Sequence, residues 1–397
     1  MGSDTVATIA PSCEQRTLAA GGCACFRTPW ISLVTSPALD ISHLSLRHRG
    51  RTILDSLSFT VPPGSLTALA GHPGSGKTAV MRLLAGFDKA QAGSVSLDGA
   101  PLGRMPAYKR GFGVVQQPDR LFPHLSLAEN VALPLRLRGV KRASRLAMAR
   151  ETLDLVQIEA PADTRARESS HDDRQRALLA RAAVFGPKVM LLDEPFLTTG
   201  EPPRLSLVAA LGRIHELLGA TIVLATRNLR DALPICDHIV VLRAGMLEQA
   251  EAPEPLFNRP ASDYVASLCG ETNRLAGTVT GQEDDIATIQ LACGPVVEAR
   301  NVVGLTEGAN CMFVLRPEHI ALAPVRAAEM GDGALDATLI ESQFWGDSYR
   351  LRLLIGSGAE LVVRRPAIAG LRGLVAGRHC AVAWQSHHAM VFASSVS

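Results

Sequence analysis

Aromatic residues are scarce in this chain of 397 residues: phenylalanine, tryptophan and tyrosine together make 4%. No apolar run reaches the roughly 18 residues that a membrane-spanning helix needs, so any membrane role has to come through a partner. There is no basic tract and no basic patch interleaved with aromatics, and the formal net charge is only +2. Nucleic acid is therefore not an expected partner. The eight cysteines (Cys13, Cys23, Cys25, Cys236, Cys269, Cys293, Cys311 and Cys380) are scattered. None has zinc-site spacing, and the chain is too long for a disulfide scaffold. They read as reduced thiols of a cytosolic protein. The closest pair, Cys23 and Cys25, sits in a weakly patterned leader and is not read as a metal site.

What is present is a globular composition, 47% hydrophobic and 20% charged, in a chain long enough for two or more domains. Residues 1–37 are rich in small polar residues, lack periodicity, and lack the basic start and apolar core of a secretion signal. They are expected to be a disordered leader, or to follow a start codon placed too early.

Gly71-His-Pro-Gly-Ser-Gly-Lys77-Thr78 fits G-x-x-x-x-G-K-[ST]. It follows an apolar run, Leu66 to Ala70, and precedes a segment with apolar residues at helical spacing (Val80, Leu83, Leu84). Strand, glycine turn and helix are the context in which backbone N–H groups and a helix N-terminus face phosphates. Lys77 then reaches the terminal phosphates and the Thr78 hydroxyl suits Mg²⁺. A second apolar strand, Val189-Met-Leu-Leu-Asp193-Glu194, carries two acids at its C-terminal end, where open α/β sheets place ligand chemistry. Asp193 is expected to hold Mg²⁺ through water and Glu194 to polarise an attacking water. Helices are expected at 127–137, 141–158, 174–185, 204–218 and 228–235, with strands at 221–225 and 238–242. From about Asn273 long helices give way to short alternating runs punctuated by glycine and proline, which predicts an all-β domain of small-barrel type. Two halves of similar length, 273–325 and 333–394, predict a duplicated five-strand unit. The expected fold is an α/β P-loop NTPase domain over 38–272 followed by an all-β OB-like barrel domain over 273–397.

With these residues in hand, the chain resembles the ATP-binding subunit of ABC transporters, of the importer type with a C-terminal OB-like (TOBE) regulatory domain, over about 39–394. The resemblance implies that His48 stacks on adenine. It implies that Gly71, Gly74, Ser75, Gly76, Lys77 and Thr78 form the Walker A loop for ATP. Gln117, in Gly113-Val-Val-Gln-Gln117-Pro, falls at the glutamine that senses metal and water. Asp193 and Glu194 fall in Walker B. Lys109-Arg110, Asn130-Val-Ala-Leu-Pro-Leu, Gly270-Glu-Thr-Asn and Leu315-Arg-Pro-Glu-His look like polyamine (spermidine/putrescine) importers, although ferric-iron and sugar importers share much of this, and an oxyanion is a further cargo to weigh. The implied partners are a second ATP-binding subunit (homo- or heterodimer), transmembrane permease subunits and, indirectly, a substrate-binding protein. The implied location is the cytoplasmic face of the inner membrane.

Three positions depart from the pattern of that family. Its Leu-Ser-Gly-Gly-Gln loop, which closes on the partner subunit's ATP, aligns with Ser169-Ser170-His171-Asp172-Asp173, and only Ser170 is kept. Two carboxylates facing a triphosphate at ~4 Å and an effective dielectric of ~20 cost on the order of 4 kcal/mol per like-charge pair. Alternatively, Ser170 and Asp173 approximate a capping box, so that the helix satisfies its own N-terminus. The switch histidine aligns with Arg227 and the D-loop aspartate with Gly200. Pro73 also removes one N–H from the phosphate cradle. An ATPase is expected, with a hydrolysis-impaired ATP-binding subunit as the alternative.

Overall fold

The computed structural model describes residues 37–116, 121–196, 201–324, 334–371 and 373–394, with only the backbone given at 201–203. The expected leader before residue 37, Gln117 and Gly200 lie outside the described residues.

The alternating runs at the start form a hairpin of β1 (Leu39–His48) and β2 (Arg51–Val61). Leu39, Ile41 and Leu44 point into the core from β1. The next strand, β3 (Leu66–Ala70), is buried along its whole length and leads through the glycine turn into α1 (Lys77–Ala85). β4 (Ala92–Leu97) and β5 (Ala100–Pro101) extend the hairpin to a four-stranded antiparallel sheet ordered β2-β1-β4-β5. The chain continues through α2 (Ala107–Arg110), β6 (Gly113–Val115), α3 (Leu127–Leu137), α4 (Arg142–Leu155) and α5 (His171–Ala183). Then come β7 (Val189–Asp193), α6 (Glu201–Leu218), β8 (Thr221–Thr226), α7 (Leu229–Ala232), β9 (His238–Arg243) and β10 (Met246–Glu251). A second sheet has the order β10-β9-β3-β8-β7-β6, parallel except for the edge strand β10.

The inner strands β3, β7 and β8 are buried at every position and mostly apolar, because both faces are covered. Alternate residues serve opposite layers. Met190 and Leu192 pack with the helices α3, α5 and α6, while Val189 and Leu191 pack with α1 and the β1–β2 hairpin. The expected helix at 228–235 is cut to Leu229–Ala232, because Pro234 cannot continue it. Conversely, α5 starts three residues before the expected Arg174, since Ser170 caps it.

Two short helices, α8 (Pro253–Asn258) and α9 (Asp263–Leu268), lead into the β region. There β11 (Asn273–Glu283), β12 (Ile286–Leu291), β13 (Val296–Asn301), β14 (Asn310–Leu315) and β15 (Ala321–Pro324) are followed by β16 (Leu335–Phe344), β17 (Ser348–Ile355), β18 (Ala359–Pro366), β19 (His379–Ala383) and β20 (Ala389–Ala393). Two five-stranded units form, but they are not the two halves of the chain. A closed barrel is ordered β11-β12-β13-β20-β14, and an open sheet is ordered β15-β19-β16-β17-β18. β15 leaves the first half for the second sheet, and β20 returns from the C-terminus to close the barrel. β20 pairs antiparallel with β14 and parallel with β13. Ala389 to Phe392 are buried, as a strand with neighbours on both edges requires. One hydrophobic core spans both units, which is why their strands interleave.

Arg364 and Arg365, near the end of β18, are held by the β domain itself. Arg365 donates to the Leu322 carbonyl at 2.7 Å and Arg364 to the Ser348 hydroxyl at 3.1 Å. The described cysteines are free, and burial raises their thiols, Cys380 to about 11. Among the described residues no helix is long and apolar enough to cross a membrane.

Candidate nucleotide site

Strand order creates the site. β8 lies between β3 and β7, with Ala70 opposite Thr226 and Asp193 opposite Ala225. The glycine loop after Ala70, the acids ending β7 and Arg227 after β8 therefore emerge side by side at one sheet edge. Two glycines are needed for geometry. Gly71 has φ 153°, and a side chain there would run into the Leu242 carbonyl and Ser75. Gly76 has φ 105° and caps α1; a Cβ would meet Leu54 at 2.7 Å. No other residue fits either position.

Lys77 is buried, and its Nζ donates to the carbonyls of Gly71 (2.6 Å) and His72 (3.1 Å) and to Ser75 Oγ (3.4 Å). Burial lowers its pKa, and Glu194 and Asp193 partly counter that. Among the described residues, the N–H groups of Gly74, Gly76, Lys77 and Thr78 have no protein acceptor. The His72 N–H is already taken, by the Tyr264 hydroxyl at 2.9 Å, which in turn donates to the Leu242 carbonyl. Pro73 has none to give. The Ser75 N–H is also taken, by the His72 carbonyl at 3.1 Å, so the anion-binding capacity of the loop lies in Gly74, Gly76, Lys77 and Thr78.

Thr78 Oγ1 donates to Asp193 Oδ1 at 3.4 Å. A hydroxyl and a carboxylate oxygen held together are hard donors of the kind Mg²⁺ takes, so these two residues fit the expected metal; Gln117 lies outside the described residues. No group of three or more His, Cys, Asp or Glu suited to a metal occurs among the described residues. The Asp193 carboxyl lies above its ordinary 3.8, chiefly through burial, with Thr78 opposing and Glu194 reinforcing. The folded state thus favours the protonated form more than the unfolded chain does, and the cost of ionisation builds up as pH rises from 3.8 through the raised value and is full above it. Asp193→Asn is expected to raise the melting temperature near neutral pH. The gain should shrink as pH falls toward 3.8, as a thermal-shift series would show.

Glu194 sits in the left-handed region, φ 51°, a conformation that costs roughly 1–2 kcal/mol for a residue with a Cβ. Its N–H bonds to Ala225 O at 2.9 Å, which holds the strained turn against β8. Its carboxylate is not free: Arg227 Nε donates to Oε2 at 2.7 Å. His48 is exposed at the end of β1, opposite Arg51. Ser170 belongs to another element, at the head of α5.

At that helix head the structure corrects the electrostatic expectation. Ser170 Oγ accepts from the Asp173 N–H and donates to Asp173 Oδ2 at 2.8 Å. Asp173 is buried, and its other oxygen accepts from the Glu159 N–H. Asp172 pairs with the buried Arg176 at 2.8 Å. Asp173 is thus spent within the subunit, and Asp172 is engaged through one oxygen while its Oδ1 is buried with no hydrogen-bond partner among the described residues, so the two are not bare carboxylates presented outward. The reciprocal half of a capping box is absent, because aspartate is one methylene short of the usual glutamate and turns to Glu159 instead. Ser170→Ala should lower stability by about 1 kcal/mol, measurable by urea denaturation.

Comparison with known proteins agrees with this geometry. The family described as "ABC transporter" matches residues 54–197, and the "TOBE domain" matches residues 313–392. A spermidine/putrescine import ATP-binding protein, PotA, of Mesorhizobium japonicum is 32% identical, covering 79% of this chain and 84% of its own. The chain belongs to the ATP-binding proteins of ABC transporters. A PotA of Rubrobacter xylanophilus is 32% identical over 89% of this chain and 93% of its own. An uncharacterised ABC transporter ATP-binding protein of Escherichia coli, YdcT, is 30% identical over 87% of this chain and 96% of its own. Within the ABC cassette, the "ABC transporter" match starts inside β2 and takes in the glycine loop and both acids. The TOBE match starts within β14, so β11 to β13 precede it.

Two features of the site escaped the sequence. Tyr264 fastens the glycine loop to α9 from 192 residues away, and nothing in its local sequence marks it. The Arg227–Glu194 pair depends on strand order, which brings the end of β8 beside the end of β7.

Proposed function

We propose that this chain is the ATP-binding and ATP-hydrolysing subunit of an ABC importer, with a polyamine as the cargo. The observation that carries the reading is the convergence of Lys77, Thr78, Asp193 and Glu194 at one sheet edge, next to N–H groups with no protein acceptor. In this reading the N–H groups of Gly74, Gly76, Lys77 and Thr78 cradle the phosphates of ATP, with Gly71 making the turn and Ser75 shaping the loop between them, and Lys77 places a cation against developing charge. His48 stacks on adenine. Thr78 and Asp193, with Gln117, hold Mg²⁺, which when bound neutralises phosphate charge. Glu194 orients the water. Ser170 serves a partner subunit's nucleotide. The division proposed is an ATP-binding domain over 38–272 and a β domain over 273–397. The subunit pairs with a second ATP-binding subunit and with permease subunits at the cytoplasmic face of the membrane. The cargo rests on the PotA relatives and on the segments that resemble polyamine importers.

A second reading has its own support. Arg227 occupies the Glu194 carboxylate, and the helix at Ser170 is closed by its own side chains. Both favour a subunit that binds ATP and turns it over poorly unless a partner supplies an intact loop. A steady-state ATPase assay of the purified chain, with Glu194→Gln as control, separates the two: activity equal to the control removes the enzyme reading for the homodimer. Spermidine uptake by vesicles carrying the co-purifying permease subunits tests the cargo.

A further inference from the structure

A cavity of about 650 Å³ lies where the segment after β8 meets the β domain. Arg227 and Arg230 line it from the nucleotide-site side, Arg350 and Arg364 from β17 and β18, and Trp345 flanks them. Against four guanidinium groups the lining offers one carboxylate, Glu271, which is engaged with Arg350 at 2.7 Å. Arg364 reaches Asp347 only at 3.7 Å. Arg230 makes no side-chain hydrogen bond or ion pair among the described residues; its Nη2 lies against Gly270. Arg316 Nη1 also lies against this glycine and is buried with no hydrogen-bond partner among the described residues. A buried guanidinium nitrogen without an acceptor is an uncommon and costly arrangement. The buried Arg316 donor thus lies next to Gly270 and outside the lining, and the lining itself carries four guanidinium groups against one carboxylate.

The geometry points to a site for a small polyanion here, of the size of a tricarboxylate or a pyrophosphate, distinct from the glycine loop. Arginine forks suit carboxylate and phosphate oxygens alike, and the exposed Trp345 ring, 5.9 Å from the Arg350 guanidinium, gives the ligand a flat wall. The same charge repels a polyamine, so the cavity is not a cargo site. Arg227 belongs both to this cavity and to the Glu194 pair. A bound anion therefore competes with Glu194 for the guanidinium and releases the carboxylate. That consequence rests on the hydrolytic reading, whereas binding does not.

The test is calorimetric titration of the full chain carrying Lys77→Ala, which removes phosphate binding by the glycine loop, with citrate, pyrophosphate and spermidine. Saturable binding of at least one anion and none of spermidine is expected. Arg230→Glu, on an exposed side chain with no side-chain partner, should weaken it about tenfold to a hundredfold, and Trp345→Ala should weaken it less. Citrate alone binding would identify a carboxylate site, and pyrophosphate alone a phosphate site. Absence of saturable binding up to about 10 mM, or binding untouched by Arg230→Glu in a protein that melts normally, would overturn the proposal. If the anion binds yet leaves ATP turnover of the chain with native Lys77 unchanged, its link to Glu194 is wrong while the site stands.

Discussion

In an Arg227→His background, Glu194→Gln lowers ATP turnover about a hundredfold to ten-thousandfold, the range a positioned general base commands; in the native chain the same substitution costs about fivefold less. The reason is the 2.7 Å bond from Arg227 to Glu194. A carboxylate whose oxygen accepts from a guanidinium has one oxygen fewer for water. The pair is half in solvent, with Arg227 45% exposed and Glu194 15%, so it is worth on the order of 1 kcal/mol. Breaking it with histidine therefore raises turnover only about fivefold, but it exposes the full dependence on Glu194. The two substitutions are non-additive because the residues touch. Four proteins (native, each single variant and the double variant) assayed for phosphate release close the cycle. Equal costs of Glu194→Gln in both backgrounds would mean that the pair does not restrain Glu194.

The nucleotide loop was legible because its requirements are local. A turn that admits no Cβ at Gly71 or Gly76 must be written as glycine, and the buried strand before it must be apolar. The same holds for Val189 to Glu194, where a strand interior and its exit differ in hydropathy within one residue. Strand order is not local. That Arg227 meets Glu194 follows from β8 lying between β3 and β7, and the chain order of these strands does not state it. The β domain makes the same point: its strands were countable from glycine and proline punctuation, but the exchange of β15 and β20 between units depends on which edges remain open after folding. At Asp172 and Asp173 the residue types were read correctly as helix-start acids, yet their partners, Arg176 and the Glu159 N–H, lie on other turns and other segments.

Lys77→Ala should weaken ATP binding about a hundredfold or more, and the affinity of the native chain should fall with alkaline pH earlier than an ordinary lysine would dictate. Its ammonium is buried and bonded only to neutral oxygens, those of Gly71, His72 and Ser75. Each charge-assisted bond that it transfers to a phosphate oxygen is worth roughly 1.5–3 kcal/mol, and two such bonds account for the factor. Burial holds its pKa below the ordinary 10.5. In the free protein the charge is therefore lost at lower pH than usual, and binding a phosphate must restore it. By linkage, ATP binding then takes up a proton in the alkaline range, visible as a dependence of calorimetric heat on the ionisation enthalpy of the buffer. Lys77→Arg, which stays charged throughout, should bind with a flat alkaline profile whatever its absolute affinity. An alkaline decline that persists in the arginine variant would assign the titration to another group and leave Lys77 without this role.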